Sequence, residues 1–256
     1  MEYVPPHCSN MKCEQLDKTV FGNGISLHYR ETGPPSVVPV IALHGHPGTA
    51  SVWDEVAREI GDTGGHRFLA LTQRGYGLSD HKGPYSSETF AADVLAFAEA
   101  IGLGRFVLVG HSMGGTVASL VAAQWSARLL GLVLVDSVTP RESVQLPVPR
   151  RPSSPESLPY DWDLIPAVFG QLAAPDPGWW RSLARITVPT LVIAGGSTSH
   201  VPQSVLADAA ALIPQARLVT LEGAGHSPHR DAPGRFLPEL ADFLRELTSE
   251  EPSDPA

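Results

Sequence analysis

The sequence has little of three things: cysteine, basic charge and long apolar runs. Its two cysteines, Cys8 and Cys13, lie in a segment without hydrophobic periodicity. A disulfide framework or a zinc site therefore has little support, and we interpret the pair as bystander thiols. No apolar stretch reaches the roughly 18 residues of a membrane-spanning helix. The residues before Gln15 also lack the basic and apolar regions of a secretory signal.

The charge balance excludes further classes of partner. The chain carries 18 Lys and Arg against 27 Asp and Glu, for a formal net charge of -9, and it has no basic run. Nucleic acid and anionic membranes are therefore poor partners, and we expect a soluble, cytoplasmic protein that acts on a small molecule. No clustered metal ligands and no phosphate-binding G-x-x-x-x-G-K occur, so no metal or organic cofactor is implied. Nothing indicates the oligomeric state.

Short apolar runs typical of β-strands alternate with segments of helical period. The strand-like runs are residues 25–30, 37–43, 68–71, 106–109, 130–135, 191–194 and 218–221. Two segments repeat apolar residues at helical spacing, namely Phe90, Val94, Phe97, Ala98 and Ile101, and Phe236, Leu240, Phe243, Leu244 and Leu247. This alternation predicts an α/β fold with a mostly parallel central sheet and helices on both faces.

One domain accounts for most of the chain, since 256 residues of 43% apolar composition suffice for one large core. We expect a disordered segment over residues 1–12, a domain over 13–248 and a disordered acidic tail over 249–256. Residues 137–185 interrupt the alternation with many prolines and with Trp162, Trp179 and Trp180. This insertion predicts a short lid over a pocket. The alternative is a surface loop that its tryptophans merely anchor.

The strongest local motif is GHSMGG at residues 110–115, which follows the apolar run 106–109 and precedes a helical segment at 116–125. A strand that turns abruptly into a helix holds the serine in a strained conformation, and side chains at positions 110 and 114 would collide with nearby backbone. The turn lifts the Ser112 hydroxyl clear of the sheet at the positive end of the next helix. The motif therefore predicts that Ser112 is a nucleophile.

Four segments together resemble the α/β-hydrolase superfamily over about residues 20–247. They are LHGHPGT at 43–49, QRGYGLSD at 73–80, GHSMGG at 110–115 and GAGHSPHRDAP at 223–233. These motifs are similar to those of the branch that contains esterases, lactonases, carbon–carbon bond hydrolases and cofactor-free haloperoxidases. The resemblance implies the α/β-hydrolase fold with a short inserted lid. It also makes the segment at 73–77 a structural loop.

The same resemblance implies roles for further residues. The backbone N–H groups of His46 and Met113 would form the oxyanion hole, since Pro47 has no N–H to give. His226, after the run 218–221, would be the base that takes the serine proton. His229 is the competing histidine and would line the pocket or pack. We assign His229 and Trp162 to the substrate-binding site.

The third member of the catalytic group departs from the family pattern. Most relatives carry the acid after the penultimate core strand, where this chain has Thr198 and no carboxylate between Gly195 and Gln203. Asp136, at the end of the run 130–135, is our candidate, although an aspartate there could instead cap the following turn. The other carboxylates considered are Asp161, Asp163 and Glu222.

These residues predict a serine hydrolase that cleaves a small carboxylic ester, lactone or thioester through an acyl-enzyme on Ser112. Two alternatives stay open. The first is acyl transfer, lactonisation or perhydrolysis on the same fold, favoured by the apolar insertion. The second is a catalytically weakened ligand-binding homologue, favoured by the missing acid at Thr198.

Overall fold

A computed structural model describes residues 15–36, 38–62, 64–137, 139–141 and 149–249. The predicted N-terminal segment 1–12, both cysteines, and the tail after Ser249 lie outside the described residues. Within the described part, no helix combines the length and the apolar character needed to cross a lipid bilayer.

Eight strands form one sheet, in the order β1-β2-β4-β3-β5-β6-β7-β8. Pairing is antiparallel between β1 and β2 and between β2 and β4, and parallel from β4 through β8. The prediction of a mostly parallel sheet is therefore confirmed. The strands are β1 Leu16–Gly22, β2 Ile25–Thr32, β3 Val40–Leu43, β4 Phe68–Leu71, β5 Phe106–His111, β6 Leu129–Val135, β7 Thr190–Ala194 and β8 Ala216–Thr220.

Helices connect the strands and cover the sheet. They are α1 Asp54–Asp62, α2 Ser87–Ala100, α3 Met113–Trp125, α4 Leu164–Ala173, α5 Pro177–Ser182, α6 Gln203–Leu212, α7 Pro228–Asp231 and α8 Pro233–Ser249. The helix α2 begins where the Ser86 hydroxyl accepts the N–H of Thr89 at 3.1 Å. The helix α8 buries the five apolar residues whose spacing predicted it, Phe236, Leu240, Phe243, Leu244 and Leu247.

The core lies on both faces of the sheet because side chains alternate along each strand. In β3, Ile41 and Leu43 join the cluster that contains residues of α2, α3 and α6. Val40 and Ala42 join the opposite cluster, against α1 and α8. Since all four residues are 0% exposed, β3 is buried on both faces, which is the environment that its continuous apolar run predicts.

The strand β1 is missing from the predicted set. Its sequence, LDKTVFG, alternates exposed and partly buried residues, and Phe21 is 69% exposed. β1 lies at the edge of the sheet and pairs with β2 alone. An edge strand with one solvated face carries few apolar residues, so a search for apolar runs does not find it.

The insertion predicted at 137–185 lies between β6 and β7, and its described residues form α4, α5 and short 3₁₀ turns without a strand of the sheet. Val138 and residues 142–148 lie outside the described part. The Asp161 N–H donates to the Gly75 carbonyl at 2.7 Å, which fastens the insertion to the loop after β4. Trp179 is 6% exposed, and its indole N–H donates to Glu88 at 3.2 Å. This tryptophan anchors the insertion, and a covering role for the segment stays a prediction.

The loop at residues 73–77, interpreted above as structural, contributes Arg74 to a buried ion pair. The Arg74 guanidinium donates to both carboxylate oxygens of Asp93 in α2, at 2.6 and 2.7 Å, and to the Lys82 carbonyl at 2.9 Å. The two charged side chains are 4% and 3% exposed. Arg74 thus joins the loop after β4 to α2, and either charge alone would be costly to bury.

We predict that Asp93→Asn lowers the free energy of unfolding by about 3 kcal/mol, because it leaves the Arg74 charge buried without its counter-charge. Urea denaturation measures the change. The matched control is Asp242→Asn, which breaks the exposed Arg245–Asp242 pair in α8 and should change stability by no more than about 0.5 kcal/mol. Equal losses in the two variants would contradict the prediction.

Candidate active site

Ser112 lies at the bend between β5 and α3. Its backbone has φ 52° and ψ −122°, a left-handed conformation that is strained for a residue with a side chain. The glycines on either side permit the bend: a Cβ on Gly110 would overlap the Gly114 carbonyl oxygen, and one on Gly114 would lie 2.6 Å from the Leu43 carbonyl oxygen. The collisions expected at positions 110 and 114 are therefore present in the structure.

Three side chains from separate strand ends form a continuous hydrogen-bonded chain. Ser112 follows β5, Asp136 follows β6, and His226 lies on the loop after β8. His226 Nε2 is 3.0 Å from the Ser112 Oγ, and His226 Nδ1 is 2.8 Å from the Asp136 Oδ2. Because a carboxylate only accepts, Nδ1 carries the proton and Nε2 is free to accept one from the serine.

The Asp136 carboxylate is 0% exposed and has three donors. The Gly195 N–H donates to Oδ1 at 2.8 Å, the Ser199 hydroxyl donates to Oδ2, and His226 donates to the same oxygen. Burial alone would raise the pKa of Asp136, but the hydrogen bonds from His226, Ser199 and Gly195 outweigh it and lower the pKa below its ordinary value. The carboxylate therefore stays charged beside the imidazole.

The other carboxylates considered for this position have different partners. Glu222 is exposed and accepts the Ser197 N–H at 3.0 Å. Asp161 accepts the hydroxyl of Tyr85, and Asp163 is exposed on the insertion.

Thr198, at the family's usual acid position, is exposed. Its neighbour Ser199 instead donates to Asp136. The loop after β7 thus supplies donors to a carboxylate that comes from β6. Sequence reasoning did not find this contribution of Ser199, because a serine in a loop carries no signal of its own.

The loop after β3 approaches the serine closely. A Cβ on Gly45 would lie 2.7 Å from the Ser112 Cβ. His46 is the next residue after this close approach. Met113 is the first residue of α3, where the helix provides no acceptor for the backbone N–H. Both residues are half-buried, and their role as oxyanion donors stays a prediction.

The His46 ring packs among aromatic residues. Its Nδ1 is 3.2 Å from the Tyr76 hydroxyl, and its ring centroid is 4.8 Å from that of Tyr160 and 6.2 Å from that of Phe169. Burial lowers the pKa of His46 below its ordinary value, which favours the neutral ring. The insertion thus reaches the loop that carries one predicted oxyanion donor.

The two residues assigned to substrate binding differ in placement. Trp162 is half-buried and packs against the core cluster on the α2 and α3 face. His229 is 1% exposed and stacks on Trp53 with ring centroids 4.4 Å apart. The assignment of His229 to the pocket surface is therefore wrong, because the short helix α7 turns this side chain into the core. Of the two roles considered for His229, the structure supports packing.

The described residues contain no group of three or more histidine, cysteine or carboxylate side chains arranged to hold a metal ion.

Comparison with known proteins identifies the family of the chain. A sequence profile of the alpha/beta hydrolase family matches residues 40–239. The chain belongs to this family. The resemblance in the sequence and the fold expected from it are therefore confirmed.

This hydrolase is 25% identical over 253 residues to an sn-1-specific diacylglycerol lipase of Mus musculus, with 83% of the chain and 82% of the relative covered. It is 39% identical over 153 residues to the N-formylmaleamate deformylase of Pseudomonas putida, but there the match covers 57% of the chain and about half, 52%, of the relative. The enol-lactonase of Burkholderia xenovorans has the same fold, with a TM-score of 0.77, 23% identity, and 89% and 100% of the two chains covered.

We predict that Gly114→Ala destabilises this hydrolase by about 1–3 kcal/mol, because the new Cβ meets main-chain atoms that cannot rotate away. The control is Gly170→Ala in α4, where a Cβ has no neighbour within 4 Å and should leave stability unchanged or raise it by up to about 1 kcal/mol. Urea denaturation of both variants tests the pair. A Gly114→Ala variant as stable as the parent would contradict the steric argument.

Proposed function

We propose that the protein is a serine hydrolase that cleaves a small carboxylic ester, lactone or thioester through an acyl-enzyme on Ser112. The observation that carries the proposal is the pair of contacts made by one imidazole. His226 lies 3.0 Å from the Ser112 hydroxyl through Nε2 and 2.8 Å from Asp136 through Nδ1. These distances are within the reach required for proton transfer.

In the first half of the proposed reaction, the Ser112 Oγ attacks the substrate carbonyl carbon while His226 Nε2 takes the hydroxyl proton. The carbonyl oxygen becomes an oxyanion and accepts hydrogen bonds from the backbone N–H groups of His46 and Met113. Each hydrogen bond stabilises the transition state by about 3 kcal/mol. The intermediate then collapses. The bond to the leaving oxygen or sulfur breaks, His226 returns the proton to it, and the acyl group remains on Ser112.

In the second half, water takes the place of the leaving group. His226 removes a proton from the water as the oxygen attacks the acyl carbon, and then gives the proton to the Ser112 oxygen as the free acid departs. The charged Asp136 fixes the tautomer of His226 and stabilises the imidazolium in both halves. The donors from Gly195 and Ser199 support this role, because they keep Asp136 ionised.

The similar proteins support an ester-type bond, since those named above include a lipase and a lactonase. The Asp136–His226 contact argues against a catalytically weakened homologue, because that reading depended on the lack of an acid at Thr198.

We predict that Ser112→Ala abolishes both turnover of p-nitrophenyl esters and labelling by a fluorophosphonate. Asp136→Asn should lower kcat by about 10⁴, because the amide no longer selects the productive tautomer of His226. The control is Thr198→Ala, at the position that holds the acid in most relatives, and it should keep the parent kcat. Full activity in Asp136→Asn, or retained labelling in Ser112→Ala, would refute the proposed mechanism.

A second function, acyl transfer to an acceptor other than water, is favoured by the aromatic residues Tyr160 and Phe169 of the insertion, which pack around His46. Both reactions share the acyl-enzyme, so they differ in the second half alone. We expect free acid as the product when an alcohol is added to the p-nitrophenyl ester assay. Formation of the transesterified product as the main species would instead favour acyl transfer.

A further inference from the structure

The buried imidazole of His111 takes no part in the reaction proposed above, although it directly precedes the nucleophile. His111 is the last residue of β5 and is 7% exposed. Its Nε2 lies 2.7 Å from the main-chain carbonyl oxygen of His226. A side chain adjacent in sequence to Ser112 therefore contacts the backbone of the proposed base.

The direction of this hydrogen bond follows from its partners. A carbonyl oxygen only accepts, so Nε2 of His111 must carry a proton and donate it. Burial, together with the nearby His226, lowers the pKa of His111 to about 4. The ring is therefore neutral near pH 7, with its proton on Nε2 and none on Nδ1.

The main chain around His226 has a second attachment. The Gly225 N–H donates to the Gly195 carbonyl at 2.9 Å, just before His226 in sequence. The imidazole itself is held by Asp136. The bond from His111 is distinct from both, because it links the backbone of His226 to the strand that carries Ser112 rather than to the region around β7 that surrounds Asp136.

We propose that His111 is a positioning residue, whose hydrogen bond to the His226 carbonyl sets the distance between the proposed base and the Ser112 hydroxyl. The inference rests on the proposed function. Because His111 and Ser112 are covalent neighbours, a shift of the serine turn carries the attachment of His226 with it. Geometry of this kind matters for rate, since a misplacement of 1 Å can cost about 10²-fold.

The N–H donor of His111 can be tested separately from the space that its ring fills. The ring packs 4.8 Å from the His226 ring and 4.6 Å from the His229 ring, between centroids. Asp136 and His44 are the other ionisable groups that act on it. A phenyl ring fills similar space without a donor, whereas a glutamine amide can place an N–H near the position of Nε2.

The experiment compares His111→Phe with His111→Gln in the full chain, using p-nitrophenyl butyrate. We expect His111→Phe to lower kcat by about 10- to 100-fold, with KM within about twofold of the parent, because the bond acts on the base and not on the acyl group. His111→Gln should restore kcat to within a few-fold of the parent. The rescue is the decisive readout, since a purely space-filling role would favour the aromatic ring.

The matched control is His66→Phe. His66 Nδ1 also lies near a backbone carbonyl, that of Val38, at 3.2 Å, but it is remote from Ser112 in the fold. This variant removes a comparable imidazole and should keep the parent kcat. A second measurement is the low-field proton resonance of His226 Nδ1–H, which should broaden in His111→Phe and persist in His111→Gln.

Each outcome decides the inference. Equal kcat in His111→Phe and the parent, or an equal loss in His111→Phe and His111→Gln, would overturn it. If His111→Phe does not fold, His111→Leu replaces it, with the same expected loss of kcat. If neither variant folds while His111→Gln does, the hydrogen bond is required for folding, and the positioning role is overturned. A parent without turnover, or an active Ser112→Ala, would instead refute the proposed function.

Discussion

The geometry of the candidate active site depends on one steric constraint. The turn from β5 to α3, which carries Ser112, packs closely against the end of β3. Ser112 adopts a left-handed backbone conformation, and a Cβ on Gly114 would lie 2.6 and 2.7 Å from the carbonyl oxygens of Leu43 and His44. The turn is held by packing of backbone on backbone, which leaves it little freedom to relax. This rigidity is what allows a serine hydroxyl, a helix terminus and the loop after β3 to meet with fixed geometry.

The charge states in the site depend on how far hydrogen bonds offset the cost of burying each ionisable group. Asp136 is removed from water, yet three donors keep its pKa below the ordinary value. Two nearby imidazoles each donate to a single backbone carbonyl, which does not offset burial, so the pKa of both His44 and His111 is lowered to about 4. One carboxylate is thus kept charged among rings that are kept neutral. A proton that reaches His226 therefore meets the negative charge of Asp136, its hydrogen-bonded neighbour.

The sequence predicted seven of the eight strands and the helices α2, α3 and α8, and it singled out Ser112 and His226. Apolar runs, helical spacing and glycine requirements are local signals. It predicted less where several distant segments act together. The position of Asp136 depends on β6 and β7 being neighbours, and its donors Gly195 and Ser199 lie more than fifty positions away in sequence. His229 was assigned to the substrate-binding site from the family resemblance, and sequence spacing could not correct this because it does not report which way the short helix α7 turns a side chain. His111 gave no signal, since its hydrogen bond is to a backbone carbonyl.

The site and the insertion carry different kinds of information about the reaction. The hydrogen-bonded chain from Ser112 to Asp136 favours nucleophilic chemistry on a carbonyl, but many substrates share that carbonyl. Selection among them requires side chains that contact the rest of the substrate. The insertion offers candidates, since Tyr160 and Phe169 pack against the His46 ring. Since backbone hydrogen bonds on both sides of Tyr160 fasten the insertion to the loop after β4, this aromatic side chain is held beside His46. Substrate preference should therefore respond to substitutions in the insertion, while the rate of the chemical step responds to the backbone contacts that fix Ser112 and His226.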